Sequence, residues 1–268
     1  MSQTVKNLED ILEVRLFDRT TRKVTLTEAG VTLLPRVLEL TDQLDRAIND
    51  AQLAARGETG KVTIGVSGGA TESRLPRVFA SFRRRFPKIR LNVRLLGSGP
   101  QIEAVLREEI DAGFAISPIP RPGLFVDVLR STGFVLQIPQ SLAIQKKRMH
   151  DLSHYRDQDF ISLTNAISPG YAARCQALFQ EAGFSPRFVR YADDPHTIMT
   201  LVSAGVGISI IPKLMQGIRR AGVKHIPLRS KNQVELAMIY RSGDERTSLA
   251  SIREIARKIF GWEQAVPR

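Results

Sequence analysis

The stretch LEDILEVRLFDRTTRKVTLTEAGVTLLPR, Leu8–Arg36, decides the fold of the first part of this chain. The stretch begins in an amphipathic helix. After a turn comes Arg22–Leu26, whose alternating residues predict a short β-ribbon beside the basic pair Arg22 and Lys23. Thr27 followed by Glu28 is typical of an N-cap with an acidic residue in the first turn of a helix. The order helix, turn, ribbon and helix predicts a winged arrangement.

The residues before this stretch extend its first helix towards the N-terminus. An apolar stripe at helical spacing consists of Met1, Val5, Leu8 and Leu12. The opposite face is polar and carries Ser2, Gln3, Lys6, Asn7 and Asp10. The first helix is therefore amphipathic, with one face available to a partner.

The second helix is predicted to run from Thr27 to about Arg56 and to stop at Gly57. Apolar residues inside it are spaced alternately by four and three: Leu33, Val37, Leu40, Leu44, Ala47, Ala51 and Ala54. This heptad seam favours pairing with another copy of the same helix, and the alternative is a helix packed into the core of a monomer. Pro35 inside the helix predicts a kink.

Beyond the linker Gly57–Gly60 (GETG), predicted strands and helices alternate in two rounds. The first round starts with the strand Val62–Val66 and the second with the strand Phe160–Leu163. A strand at Val234–Tyr240 and an amphipathic helix at Leu249–Phe260 close the chain. Two such rounds predict two α/β subdomains that face a cleft.

The charge balance points to a polyanionic partner but does not locate it. The 268 residues contain 39 Lys and Arg against 27 Asp and Glu, a net charge of +12, which favours nucleic acid binding. Residues 1–60, however, carry 8 basic and 10 acidic side chains, whereas residues 61–268 carry 31 and 17. A prediction of DNA binding therefore depends on the motif and not on the charge.

Several classes of protein are excluded by composition. A single cysteine, Cys175, cannot form an internal disulfide and fits a reducing compartment. The first residues lack an apolar signal-peptide core and no membrane-spanning apolar run occurs, so a cytoplasmic protein is expected. His150 and His154 have no third ligand nearby, and neither a P-loop nor a dinucleotide-binding fingerprint occurs. We therefore expect no metal site, no cofactor and no contact with a membrane.

The quoted stretch resembles the signature of LysR-type transcriptional regulators. The later part of the chain is similar to the same family at Gly60–Gly65, Leu75–Pro87, Ile110–Phe114, Ala182–Pro186 and Leu201–Pro212. The resemblance implies an α/β protein with a partial winged helix-turn-helix, a long linker helix and a two-lobed periplasmic-binding-protein-like α/β effector domain. The runs IDAGF and SPGY are most similar to regulators of aromatic-acid degradation, whose inducers include muconate and benzoate.

The resemblance also implies the division of the chain and its partners. The expected segments are a partial winged helix-turn-helix at 1–27, a linker and dimerisation helix at 28–58, effector lobe I at 60–159 with 236–268, and effector lobe II at 160–235. A member of this family is expected to bind double-stranded promoter DNA as a homodimer or homotetramer. A small anionic inducer, such as a carboxylate, would bind between the lobes and control it.

The sequence departs from the family pattern at two places. Family members begin with two further helices, whereas this sequence opens inside the recognition helix. We expect a start that is assigned too late, because the stripe of Met1, Val5 and Leu8 needs partner helices to bury it; a genuinely shortened protein would lose specific DNA binding. Glu13 stands where the family usually has the glycine that closes the helix, which predicts a strained helix end.

The DNA-binding candidates follow from their positions in the family motif. They are Ser2, Gln3 and Lys6 on the reading face of the first helix, and Arg22 and Lys23 in the wing. A glutamine pairs with adenine edges and a lysine with guanine or phosphate, while wing residues contact phosphates. The alternative interpretation is a polar helix face that is only solvated.

The effector-binding candidates lie where strands run into Gly, Ser or Pro before a helix, because helix N-termini attract anions. They are Ser67, Gly68, Gly69, Ser98, Pro169 and Tyr171. By resemblance, Ser98 holds an inducer carboxylate, and Pro169 and Tyr171 lie where the second lobe closes over it. Gly69 replaces a serine that some aromatic-acid regulators use. The alternative for the serines is ordinary helix capping.

Two other functions compete with the regulator hypothesis. Gly65–Gly69 (GVSGG) satisfies the G-x-S-x-G pattern, so a serine hydrolase would use Ser67 with Asp193 or Asp194 and His225. No core strand precedes this motif after the linker helix, which disfavours a hydrolase, and we assign no catalytic residue. The other alternative is a small-molecule binding protein that lacks DNA binding in this shortened form.

Overall fold

The computed structural model describes residues 3–19, 24–56 and 60–261. It divides into two compact units, residues 1–60 and residues 61–268. Within the described residues, no helix is both long enough and apolar enough to cross a membrane.

The first unit contains two helices and a two-stranded ribbon. Its elements are α1 (Gln3–Leu12), β1 (Phe17–Arg19), β2 (Val24–Leu26) and α2 (Glu28–Arg56). The strands β1 and β2 are antiparallel, with Phe17 opposite Leu26. The predicted order of helix, ribbon and helix is therefore present, and the ribbon includes β1, which the sequence pattern did not single out.

Two polar side chains fix the junctions of this unit. The Glu9 carboxylate accepts hydrogen bonds from the backbone N–H groups of Leu16 (2.7 Å) and Phe17 (3.1 Å) at the start of the ribbon. The Thr27 hydroxyl accepts from the Gly30 N–H at 3.0 Å, which confirms the predicted N-cap of α2. Glu13 has a φ of +55°, so a glutamate occupies the left-handed position after α1 that favours glycine.

The apolar seam of α2 is exposed in the single chain. Leu40 is 62% exposed and Leu44 is 59% exposed, although both are leucines. Pro35 lies inside the continuous helix, and the side chains of residues 49–56, which include Ala51 and Ala54, lie outside the described part. Within the described residues, Leu40 and Leu44 of the seam therefore have no cover in their own unit.

The second unit is built from ten strands and six helices within the described residues. In chain order these are β3 (Lys61–Val66), α3 (Gly68–Thr71), α4 (Leu75–Arg85), β4 (Arg90–Leu95), α5 (Ser98–Leu106), β5 (Ala112–Ile116), β6 (Leu124–Thr132), β7 (Phe134–Pro139), β8 (Asp159–Leu163), α6 (Pro169–Glu181), β9 (Arg187–Ala192), α7 (Pro195–Ser203), β10 (Ser209–Pro212), β11 (Val223–Pro227), β12 (Val234–Arg241) and α8 (Thr247–Phe260). Short 3₁₀ helices occur at Leu152–Tyr155 and Lys213–Met215.

The two lobes have the same strand arrangement. In lobe I the order is β4-β3-β5-β12-β6, with β3 parallel to β4 and β5, and β12 antiparallel to its neighbours. In lobe II, β8 is parallel to β9, and β7 lies between the antiparallel strands β10 and β11. A parallel bridge between Phe160 and Ile208 joins these two groups. Each lobe is therefore a mixed sheet with one antiparallel strand delivered by a crossover from the other lobe.

This arrangement corrects the expected lobe boundaries. Residues up to 159 were expected in lobe I, but β7 pairs with β10 and β11 and therefore lies in lobe II. The segment after β7 also bonds within lobe II, because the His150 carbonyl accepts from the Arg229 N–H at 2.9 Å. At the second crossover, Val234 and Glu235 already pair with β6, so lobe I resumes before residue 236.

The buried core of each lobe holds its cleft strands in place. In lobe I, Ile64, Phe82 and Phe114 are fully buried between the sheet and its helices. In lobe II, the ring of Phe160 meets that of Phe179 edge to face, with 5.0 Å between centroids. Because both cores are closely packed, the strand ends that they support have fixed positions.

Candidate ligand-binding site

A cavity of about 320 Å³ lies between the two lobes of the second unit. Lobe I contributes the turns that follow β3 and β4, and lobe II contributes the turns that follow β8 and β9. The lining residues are Ser67, Gly68, Gly69, Leu95, Leu96, Gly97, Ser98, Pro100, Ile116, Leu163, Ile167, Ser168, Tyr171, Asp193, Asp194, Pro195, Pro212 and Met215. The cavity thus lies at the carboxyl ends of parallel strands, where open α/β sheets bind ligands.

The lobes make backbone contact around this cavity. The Gly99 N–H of lobe I donates a hydrogen bond to the Ile167 carbonyl of lobe II at 3.1 Å. A Cβ on Gly170 would lie 1.8 Å from the Ser117 carbonyl oxygen, so only glycine allows this approach. A ligand in the cavity would therefore touch both lobes at once.

Ser67 lines the cavity with a hydroxyl that has no hydrogen-bond partner. Its backbone N–H donates to the Phe114 carbonyl at 3.0 Å, which fixes the residue at the end of β3. The side chain is 5% exposed, and among the described residues nothing pairs with its Oγ. It does not cap α3 either. A buried, unsatisfied hydroxyl costs stability, which points to a role outside folding.

Ser98 has a structural bond in addition to its place in the cavity. Its Oγ accepts the backbone N–H of Ile116 at 2.9 Å and thereby ties the start of α5 to β5. The neighbouring Gln101 Nε2 donates to the Leu96 carbonyl at 2.8 Å and so steadies the same turn. The hydroxyl of Ser98 can still donate its proton to a ligand.

The remaining lobe I candidates are glycines, and they do line the cavity. An ideal Cβ on Gly69 would lie 3.2 Å from Ile116 Cγ1 and 3.3 Å from Met215 Sδ. A serine at this position would therefore crowd the floor of the cavity. Gly68 faces lobe II, since a Cβ there would lie 3.0 Å from Pro195 Cδ.

The two lobe II candidates differ in position. Tyr171 lines the cavity, but its hydroxyl donates to the Ile210 carbonyl at 2.7 Å, and burial raises its pKa well above the ordinary value. Pro169 does not line this cavity. It lies against Gly99 and borders a second cavity of about 550 Å³ between α6 and β9. Burial raises the pKa of the nearby Cys175 thiol to about 12, so this cysteine is an uncharged core residue.

Asp193 and Asp194 of lobe II line the cavity with carboxylates, although the sequence analysis named them only as the acid of a possible hydrolase. Asp194 caps α7, accepting from the backbone N–H groups of His196 (2.8 Å) and Thr197 (2.9 Å) and from the Thr197 hydroxyl. The Thr197 hydroxyl, followed by these N–H groups, holds the pKa of Asp194 below its ordinary value. Asp193 accepts from the Thr164 hydroxyl at 2.7 Å. The Asp-Asp-Pro run after a predicted strand was the available signal.

The N-termini of two helices supply partial positive charge to the cavity. Ser98 begins α5, and Ser168 is the N-cap residue of α6 without a side-chain capping bond. Both residues line the cavity, so the positive ends of two helix dipoles reach it. At α7 the Asp194 carboxylate already occupies the corresponding position. Of the residues named from the sequence, Ser98 and Tyr171 line the cavity and Pro169 does not, whereas its neighbour Ser168 does.

The catalytic set expected for a hydrolase is not assembled. His225 bonds through Nε2 to Gln137 Nε2 (3.0 Å) and through Nδ1 to the Gln216 carbonyl (3.3 Å), and it does not line the cavity. Among the described residues, Ser67 Oγ therefore has no hydrogen bond to a base that could activate it. Within that part of the chain, no three His, Cys, Asp or Glu side chains are grouped as metal ligands.

The structure describes two of the five DNA-binding candidates. Gln3 and Lys6 are exposed on α1, and Gln3 Nε2 donates to Asn7 Oδ1 at 3.2 Å. Ser2, Arg22 and Lys23 lie outside the described residues.

Comparison with known proteins places this architecture in a family. The family "bacterial regulatory helix-turn-helix protein, lysR family" matches residues 1–31, and the "LysR substrate binding domain" matches residues 55–257. The HTH-type transcriptional regulator AlsR of Bacillus subtilis is 30% identical over 236 residues, which cover 88% of this chain and 77% of AlsR. The HTH-type transcriptional regulator BenM of Acinetobacter baylyi is 25% identical, over 98% of this chain and 87% of BenM.

Solved structures share the fold. Full-length CbnR complexed with its target DNA superposes with a TM-score of 0.76 at 23% identity, covering 95% of this chain and 87% of that one. The BenM effector binding domain with its effector benzoate has a TM-score of 0.67 at 24% identity, covering 79% and 96%. The chain belongs to the LysR family. It is a DNA-binding transcriptional regulator with an effector-binding domain.

We expect Asp194 to stabilise the effector domain by capping α7. Asp194→Ala should lower the free energy of unfolding by about 1 kcal/mol at neutral pH. Because the folded-state pKa is lowered, this contribution is present above the unfolded-state pKa and is lost as pH falls through the folded-state pKa. Urea unfolding from about pH 7 to about pH 3 should show the difference from the wild type shrinking with acid.

The matched control is Asp194→Asn, which keeps a side-chain acceptor at the N-cap without a titratable group. It should resemble the wild type at neutral pH. If Asp194→Ala unfolds at the wild-type urea concentration at every pH, Asp194 does not act as a cap.

Proposed function

We propose that this protein controls transcription in response to a small carboxylate that binds in the cavity between lobes I and II. The observation that carries the proposal is the Ser67 hydroxyl, which is buried, lines the cavity and has no partner among the described residues. Proteins retain such a group where a ligand completes its hydrogen bond.

The carboxylate would bind near the helix ends. Ser67 and Ser98 have hydroxyl protons to donate, and the N-termini of α5 and α6 favour negative charge. The body of the ligand would contact the apolar walls formed by residues such as Leu95, Ile116 and Leu163. At about 320 Å³, the cavity is near the lower end of the usual range of about 300–1,000 Å³, which favours a small molecule.

Ligand binding would act through the arrangement of the lobes. The chain crosses between them at Gly133 and again between β11 and β12, so the lobes can change their relative angle while the sheets stay intact. A ligand that contacts both lobes stabilises the closed arrangement by its differential affinity. The step involves binding alone, and we propose no covalent chemistry at Ser67.

The DNA contacts are assigned to the first unit. Gln3 and Lys6 are exposed on α1, where they can reach base edges or phosphates. We propose that Ser2 contributes to base reading with them and that Arg22 and Lys23, which precede β2 in the sequence, contact phosphates. CbnR, which shares the fold, has been solved with its target DNA. A promoter-binding protein of this kind works in the cytoplasm.

The same unit would form the oligomer. Leu40 and Leu44 follow the heptad seam of α2 and are exposed in the single chain. Pairing of two such helices would bury these leucines in a coiled-coil contact. We therefore propose that the protein is a homodimer or a homotetramer.

A charge in the seam should weaken the oligomer without unfolding the chain. We expect Leu40→Glu to raise the dimer dissociation constant at least about tenfold, equivalent to about 1.4 kcal/mol, because two carboxylates would face each other across the seam. Sedimentation equilibrium measures this constant.

The control for this variant is Gln43→Glu, which adds the same charge at an exposed position outside the seam. It should dissociate like the wild type. Equal dissociation of Leu40→Glu and the wild type would show that another surface holds the copies together.

Ser67→Ala should separate ligand binding from stability. Without ligand, its melting temperature should equal or exceed that of the wild type, because the variant removes an unsatisfied buried hydroxyl. A thermal-shift screen that begins with benzoate and muconate first identifies a carboxylate that stabilises the wild type. We expect Ser67→Ala to bind this carboxylate about tenfold or more weakly than the wild type does, because the variant loses a hydrogen bond to a charged group.

The matched control is Ser251→Ala, another buried serine that does not line the cavity. It should respond to the ligand like the wild type. The proposal fails if no carboxylate stabilises the wild type, or if Ser67→Ala responds to the ligand as Ser251→Ala does. A gel-shift assay with the same ligand then tests its effect on promoter binding.

A further inference from the structure

The charged side chains that line the interlobe cavity are of one sign. Two carboxylates, Asp193 and Asp194, border it, and among the described lining residues none is a lysine, arginine or histidine. A ligand that is only an anion would therefore enter a cavity without a compensating cationic side chain. The helix ends of α5 and α6 offer partial positive charge to one acidic group of the ligand, but they provide no partner for Asp193.

The two aspartates differ in what they already do. Both oxygens of Asp194 are engaged by the first turn of α7, since Oδ1 accepts two backbone N–H groups and Oδ2 accepts the Thr197 hydroxyl. Its charge is thus matched to the α7 dipole. Asp193 accepts one neutral hydrogen bond, from Thr164 Oγ1 to its Oδ1 at 2.7 Å. Within the described residues, Asp193 forms no ion pair, so its charge remains available.

The position of Asp193 fits a ligand that spans the cleft. Asp193 immediately precedes Asp194 and Pro195, and the Pro195 ring lies against Gly68 of lobe I. The Asp193 turn of lobe II therefore lies next to the Ser67–Gly69 turn of lobe I, and both border the cavity. Ser67 lines the cavity from lobe I with an unpaired hydroxyl, and Asp193 lines it from lobe II with a carboxylate that forms no ion pair among the described residues.

We infer that the ligand of this cavity is a small zwitterionic amino acid with an apolar side chain, whose ammonium group pairs with Asp193. This inference rests on the proposed function, because it concerns the same cavity and places the carboxylate at Ser67 and Ser98. An ammonium beside Asp193 removes the repulsion that a simple acid would meet there. The walls contributed by Leu95, Ile116 and Leu163 receive the apolar side chain.

Matched pairs of ligands test the ammonium group. L-valine, L-leucine and L-phenylalanine are titrated by calorimetry into the full-length wild-type protein, each beside the acid that lacks its amino group: 3-methylbutanoate, 4-methylpentanoate and 3-phenylpropanoate. At least one amino acid should bind about tenfold or more tightly than its partner acid, because only the amino acid forms the ion pair with Asp193.

The variant Asp193→Asn tests the partner of that group. The substitution keeps the shape and the acceptor for Thr164 but removes the charge, so amino acid affinity should fall about tenfold while that of the partner acid stays equal or rises. The control is Asp157→Asn, which makes the same charge change at an exposed lobe II position that does not line the cavity. It should bind both ligands like the wild type.

The outcomes separate this inference from the function on which it rests. If the simple acids bind in a manner that depends on Ser67 and the amino acids bind no better, the inference falls and the proposed function stands. If Asp193→Asn changes amino acid affinity no more than Asp157→Asn does, the inference also falls. If neither class of ligand binds the wild type, both fall.

Discussion

The structure depends on an exchange of strands between the two lobes. β7 leaves lobe I and becomes the middle strand between β10 and β11, while β12 returns from lobe II and becomes the strand between β5 and β6. Neither sheet is complete without the strand that the crossover delivers. The two crossovers therefore fix the position of the cleft. The angle between the lobes can still change, because only the two crossovers connect them through the chain.

The cleft combines rigid supports with a few unsatisfied groups. Ser98 and Gln101 hold the β4–α5 turn through bonds to Ile116 and Leu96, and Gly99 and Gly170 allow the lobes to meet backbone to backbone. Ser67 Oγ, Gln101 Oε1 and Gln137 Oε1 are buried and unpaired among the described residues, and of these three residues Ser67 lines the cavity. Unsatisfied buried polar groups are expected at functional sites, where a ligand supplies the missing hydrogen bond.

The sequence predicted local features well because their causes are local. Thr27 caps α2, and Glu13 takes the positive φ implied by its alignment with a family glycine. The lobe boundaries were wrong because the apolar run of β7 suits the interior of either sheet, and only the crossover decides which. Asp193 was named only for the hydrolase alternative, and its place in the ligand cavity was missed for the same reason. Its neighbours in space, Thr164 and the Ser67 turn, are remote in sequence.

The most direct test of the account is a crystal structure of the protein with the ligand that stabilises it most. The account predicts electron density between the lobes, with the carboxylate of the ligand within hydrogen-bonding distance of Ser67 Oγ and Ser98 Oγ. Ligand density confined to the second cavity, between α6 and β9, would contradict it.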